Sequence, residues 1–213
     1  MGIRILAALV AAYLMGSLPT GYAIARLRGV NVLRVGSGHT GATNVLRSSG
    51  FLCAMLTGVA DILKGYAGVQ VARALVPGTS WALALSGIAT VLGHNWSVFL
   101  GFAGGVGTMT TLGATLAINP TAALIALLAG ALPLGLTRYA SLGSVTMAVV
   151  LPIVLAVGAV VWSWPWDWIV FGLGAGALSL WELRPNIDRL RRGEERKIGQ
   201  TIPSGSKDVH TEV

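Results

Sequence analysis

Charge is scarce in this chain. Asp, Glu, Lys and Arg make up 11% of its 213 residues, against roughly 25% in an average soluble domain. Cysteine is scarcer still. Cys53 stands alone, so no intramolecular disulfide and no cysteine-based zinc set can form. No GxxxxGK[ST] pattern occurs, which excludes a P-loop nucleotidase. No convincing internal repeat is found either, which argues against a small transporter built from duplicated halves.

Apolar residues make up 54% of the chain, mean hydropathy is +0.73, and there are 29 glycines. An ordinary cytosolic globule and a disordered chain are both excluded. What remains is a polytopic membrane protein whose many glycines suit close helix packing in lipid. The net charge of +7 does not indicate nucleic acid, because the basic residues sit between apolar runs and at the C-terminal end.

A helical span needs about 20 apolar residues. Seven candidate runs are present, at about 5–25, 51–76, 81–100, 109–118, 121–136, 145–162 and 168–183. The first begins like a signal peptide but continues apolar through Pro19, and reads as one uncleaved span. The fourth is the shortest, and Asn119-Pro120 ends it. Arg26, Arg28, Arg34, Arg47, Arg138 and the cluster from Arg184 to Lys207 fall on one side of such a bundle. The positive-inside rule then puts the N-terminus outside and the C-terminus in the cytoplasm. The expected fold is all-α, a membrane helix bundle of about seven spans over residues 1–198. A polar tail at 199–213 follows. Trp162, Trp164, Trp166 and Trp168 read as an interfacial belt.

The chemistry therefore concentrates in the inner loops. The first carries GSGHTGATNVLR at 36–47. Gly36, Gly38 and Gly41 let backbone approach a ligand, and successive N–H groups can cradle a phosphate. Ser37, Thr43 and Asn44 add hydrogen-bonding groups, and Arg47 adds a guanidinium suited to phosphate oxygens. A flexible turn between spans accounts for the glycines equally well. The second loop holds His94 and FAGGVG at 102–107, where Gly104 and Gly105 again permit close approach. His94 suits either a structural hydrogen bond or a site role. Asp61 and Lys64, three residues apart within an apolar run, are placed to pair on one helix face, and they also suit the wall of a polar cavity. Arg138, Ser141 and Ser144 form a third inner turn, with Ser144 the expected cap of the next helix. The segment from Arg184 to Arg192 reads as a basic amphipathic helix at the headgroups. Residues alone thus point to a polyanionic substrate on the cytoplasmic face, without fixing the reaction.

The segments GSLPTGY (16–22), GSGHTGATNVLR (36–47), DILKG (61–65), GHNWSVF (93–99) and RYASL (138–142) occur in this order. Together they resemble the bacterial acyl-phosphate:glycerol-3-phosphate acyltransferase (PlsY) family over about residues 10–198. The resemblance implies seven spans in a bacterial inner (plasma) membrane, with the active site facing the cytoplasm. It implies transfer of a fatty acyl group from acyl phosphate to the 1-hydroxyl of sn-glycerol 3-phosphate, giving lysophosphatidic acid and phosphate. Neither a cofactor nor a metal is implied. The implied partners are the two substrates and membrane lipid; no oligomeric state is fixed, and a monomer suffices. Ser37 and Arg47 take the catalytic positions. Gly36, Gly38, His39, Thr43, Asn44, His94, Gly104, Gly105, Ser141 and Asn186 take substrate-binding ones.

Three departures stand out. The family typically carries FKGGKG where this chain has Ala103 and Val106 in place of both lysines. It carries HRxN after the last span, where this chain has Leu183 in place of the histidine but keeps Arg184 and Asn186. It has Asn where His39 stands, and His39 is positioned to replace part of the lost chemistry. Two readings follow: an acyltransferase with a rearranged phosphate site, or a paralogue of the same fold with altered or lost chemistry that binds an anionic lipid or another phosphorylated polyol.

Overall fold

Lipid offers no hydrogen-bond partners, so an apolar run must satisfy its backbone internally, and helices do so. The computed structural model describes residues 1–200; the tail expected from 199 onward otherwise lies outside the described residues. Among them are ten α-helices and no strand. In chain order they are α1 (Gly2–Ser17), α2 (Thr20–Arg26), α3 (Ala42–Ser49), α4 (Phe51–Leu75), α5 (Ser80–Asn95), α6 (Thr108–Ile118), α7 (Pro120–Thr137), α8 (Ala140–Val161), α9 (Asp167–Glu182) and α10 (Arg184–Arg192). Five stretches are long and apolar enough to cross a membrane: Gly2–Arg26, Phe51–Leu75, Ser80–Leu100, Pro120–Thr137 and Ala140–Val161. The apolar α6 is shorter.

The first run, expected as one span, is one stretch long enough to cross a membrane but is built of two helices. It breaks after Ser17, because Pro19 has no N–H to continue the ladder. At the break the Leu18 carbonyl accepts from the Thr20 amide and from Lys64 Nζ, each at 2.9 Å. The break between α6 and α7 follows the expected signal. Asn119 caps α7 by accepting from the Ala122 amide at 2.9 Å, and Pro120 occupies the first turn.

Two other expectations need correcting. The helix expected from 145 starts at Ala140, so Ser144 lies inside α8 and caps nothing; Tyr139 holds the cap position without a side-chain bond. The tryptophan cluster is not a uniform belt. Trp162 and Trp166 are exposed, but Trp164 and Trp168 pack against the central core, and Trp164 lies directly over Gly158. That core runs through α4 to α9 and centres on Phe171, Leu151 and Leu155, all fully buried.

Glycine sets the helix crossings. A Cβ on Gly65 of α4 would strike the Thr110 carbonyl of α6, and one on Gly113 of α6 would strike the Ile62 carbonyl of α4. Gly16 and Gly93 serve the α1–α5 contact in the same way, against Thr90 and Tyr13. These are backbone-to-backbone contacts, in which the small residue is what brings two helices together in lipid. Gly65→Ala is therefore expected to lower stability by about 1–3 kcal/mol, read as a lower unfolding temperature in detergent. Gly135→Ala, which meets nothing within 4 Å, should be neutral or stabilising.

Candidate active site

The first glycine-rich loop is organised by one side chain. Asn44 is 2% exposed. Its Nδ2 group donates to the carbonyls of Val32, Val35 and His39 at 2.9–3.0 Å, and its Oδ1 accepts from the Ser37 amide at 3.2 Å. Asn44 thus staples the loop while facing the cavity described next. Gly36 and Gly38 make the turn, with φ of 65° and 72°, conformations that L side chains rarely adopt. They do not line the cavity described next, although a substrate-binding place is expected for them. Ser37, His39, Thr43, Asn44 and Arg47 do line it.

That cavity, about 160 Å³, lies where the ends of several helices meet. Residues in the first turns of α3 (Ala42, Thr43), α6 (Thr108, Met109) and α8 (Ala140, Ser141) line it. None of these three helices has a side-chain cap. Uncapped N-termini present free N–H groups and partial positive charge, the ordinary setting for an oxyanion. Three lining atoms are buried without a hydrogen-bond partner among the described residues: Arg47 Nε, His94 Nδ1 and Thr108 Oγ1. The other end of the Arg47 guanidinium donates through Nη2 to the Arg196 carbonyl at 2.9 Å. Burial pulls the Arg47 pKa below its ordinary value, with Glu195 opposing the shift and Arg196 and Arg189 adding to it. A guanidinium stays protonated regardless.

The second glycine-rich loop reaches the cavity through residues other than those expected. Gly104 and Gly105 do not line the cavity. A Cβ on Gly104 would strike the His94 and Asn95 carbonyls, and one on Gly105 would strike the His94 ring. Their smallness seats the loop on the end of α5, and the Gly104 carbonyl also accepts from the Thr40 amide at 3.0 Å, which fastens the first loop to the second. Val106 and Gly107 reach the cavity instead, Gly107 with φ of 86° at the start of α6.

The floor of the cavity is a buried ion pair. Asp61 Oδ1 lies 3.0 Å from Lys64 Nζ, accepts from the Thr20 hydroxyl at 2.7 Å, and stands 3.6 Å from His94 Nδ1. Asp61 and His94 both line the cavity.

The opposite wall contains a residue that the motifs did not single out. Glu195, 7% exposed, follows α10 and turns inward. Its Oε1 accepts from the Ser141 hydroxyl at 3.1 Å and from Asn186 Nδ2 at 2.9 Å, while Oε2 pairs with Arg189 Nε at 2.8 Å. Ser141 and Asn186, both expected at the site, are there, and Glu195 aims them. The segment continues across this end of the bundle. Ile198 and Arg138 exchange two bonds of 2.8 Å, the Ile198 amide to the Arg138 carbonyl and Arg138 Nη2 to the Ile198 carbonyl. Only the clustering of carboxylates among the basic residues at 194–195 hinted at this role.

Asp61→Asn and Lys64→Gln are each expected to destabilise by about 3–5 kcal/mol, since either leaves a buried partner uncompensated. Together they should cost clearly less than the sum, in a thermal-unfolding cycle in detergent. Glu195→Ala is expected to reduce kcat/KM at least tenfold, the scale of losing charged hydrogen bonds of about 1.5–3 kcal/mol, while Glu194→Ala on the exposed surface should leave it unchanged.

Residues 6–193 match the family model described as glycerol-3-phosphate acyltransferase. Glycerol-3-phosphate acyltransferase 1 of Deinococcus radiodurans is 40% identical over 203 residues, which span 95% of this chain and all of that protein. A glycerol-3-phosphate acyltransferase of Thermus thermophilus is 41% identical over 91% of this chain and 95% of its own. Among solved structures, the integral membrane acyltransferase PlsY in its glycerol 3-phosphate form superposes with a TM-score of 0.85 at 37% identity, covering 92% of this chain and 96% of that one. Its lysophosphatidic acid form gives 0.83. The chain belongs to the glycerol-3-phosphate acyltransferase family.

Proposed function

We propose that this chain transfers a fatty acyl group from acyl phosphate to the 1-hydroxyl of sn-glycerol 3-phosphate, releasing lysophosphatidic acid and inorganic phosphate. The observation that carries the reading is the convergence of three uncapped helix N-termini and the unpartnered Arg47 Nε on one cavity. Such a site suits phosphate oxygens. The relatives described above are glycerol-3-phosphate acyltransferases, and the two PlsY structures are its glycerol 3-phosphate and lysophosphatidic acid forms.

Acyl phosphate is a mixed anhydride, so no covalent acyl-enzyme is needed. The acceptor hydroxyl oxygen bonds to the carbonyl carbon, the bond from that carbon to the phosphate oxygen breaks, and phosphate leaves. A substrate phosphate oxygen takes the hydroxyl proton. The protein's work is to hold two anions side by side and align the hydroxyl. Arg47 and the helix N-termini offset the repulsion. Ser37 and Thr43 on one wall, and Ser141 and Asn186 on the other, orient the polyol. In this reading the five long apolar stretches, together with α6 and α9, make seven crossings. The N-terminus is outside, and the cavity opens to the cytoplasm of a bacterial inner membrane among the basic residues.

The test is to supply purified protein in detergent with acyl phosphate and glycerol 3-phosphate, and to follow phosphate and lysophosphatidic acid together. Equal amounts of both are expected; phosphate without lysophosphatidic acid, or neither, would refute the reading. Arg47→Ala should weaken glycerol 3-phosphate binding about 10- to 100-fold, the equivalent of about 1.5–3 kcal/mol, with the fold intact.

A further inference from the structure

The charge in the cavity wall does not match two phosphate-bearing substrates. Among the described residues its lining holds one permanently charged cation, Arg47, and two carboxylates, Asp61 and Glu195. Lys64 and Arg189 balance those carboxylates from behind. The positions where the family typically has lysines are Ala103 and Val106. A further side-chain cation would restore margin to this balance, and one candidate is already in the wall. His39 Nε2 lies 3.5 Å from Glu182 Oε2, across a contact that joins the first glycine-rich loop to the end of α9. Both side chains are partly exposed, at 24% and 16%. Nε2 faces Glu182 while His39 also lines the cavity, and an imidazolium donates from both ring nitrogens. The charged or titratable groups that share the cavity with His39 are Arg47 on α3, Asp61 on α4, His94 on α5 and Glu195 beyond α10.

We infer that His39 is a phosphate-binding cation of this chain, held in place by Glu182 as its positioning residue. This rests on the acyl-transfer reading above and names the group that replaces the absent lysines. The pair works by bridging. Glu182 accepts one imidazolium N–H and the substrate phosphate accepts the other, so the carboxylate steers the ring without entering the phosphate site. Asn44 fixes the backbone on the other side by binding the His39 carbonyl.

The experiment compares wild type, His39→Asn, His39→Lys and Glu182→Gln. It measures steady-state kinetics and, independently of turnover, calorimetric binding of glycerol 3-phosphate. His39→Asn is expected to raise KM and Kd at least tenfold with kcat within about threefold. His39→Lys should hold both within a few-fold of wild type. Glu182→Gln should fall between. Unchanged KM and Kd in His39→Asn would overturn the assignment. So would a fall in kcat alone, which would place His39 in proton transfer, or a His39→Lys protein as impaired as His39→Asn with an unaltered unfolding temperature. If wild type binds glycerol 3-phosphate but makes no lysophosphatidic acid, the acyl-transfer reading fails, and the binding series still decides the role of His39.

Discussion

The Asp61–Lys64 pair is the constraint on which the cavity end of the molecule depends. A lone charge within a span costs about 2.5–3.5 kcal/mol even on the mildest scale, so neither residue is tolerable without the other. Once paired, the two have donor and acceptor capacity left over, and the fold uses it. Lys64 donates to the Leu18 carbonyl at the proline break, alongside the Thr20 amide, and Asp61 takes the Thr20 hydroxyl just beyond it. The break is thereby satisfied inside the bundle, and α2 leaves α1 in a fixed direction. That direction brings Gly21 against the Thr40 carbonyl, close enough that a Cβ would collide. The first glycine-rich loop is seated by this contact on one side and by Gly104 on the other. A buried ion pair is weak evidence for stability in general. Here it settles where a loop sits.

The same loop shows how a site can receive anions with few cationic side chains. Two unit negative charges about 4 Å apart repel by about 4 kcal/mol at an effective dielectric near 20. Each helix N-terminus contributes about 0.3–1 kcal/mol, rising to about 2 in partly buried geometry. Three of them therefore reach the scale of the repulsion, but without margin. Arg47 supplies the full charge that makes the balance favourable. The absence of lysine at 103 and 106 therefore removes margin rather than the site, because the helix ends do not depend on those side chains.

The apolar runs were legible because length and hydropathy determine where helices form. The positions of Ser37, Thr43, Arg47, Ser141 and Asn186 were legible from their motifs, and the structure brings all five to one cavity. Other features were not. Glycines at 36, 38, 104 and 105 read equally as ligand cradles or as packing and turn residues, since the sequence carries no information on what lies against them. The structure gives them turns and a seat on α5. Ser144 looked like a cap because Ser is a good one, but α8 begins four residues earlier, directly after the left-handed Arg138 that ends α7. Asn44 carried the right chemistry for a ligand group and spends it on its own loop. Glu195 was hidden because a pair of acids in a basic segment reads as solvated charge. Its role appears only when Ser141 and Asn186, distant in sequence, are brought to it.

That distance bears on how the site comes together. Arg47 is tied to a carbonyl 149 residues away, Ser141 to a carboxylate 54 away, and Arg138 to a backbone oxygen 60 away. All three ties run to the short segment after α10. The helices that supply the N-termini can pack through their glycine crossings without it, because those contacts are buried among the spans themselves. The wall of the cavity cannot. Without Glu195 the Ser141 hydroxyl and the Asn186 amide have no shared acceptor, and Arg189 has no counter-charge. Packing in lipid and completion of the site are thus carried by separate sets of interactions. The bundle is held by small residues that bring backbones together, and the site is closed by a polar strap that follows the last helix.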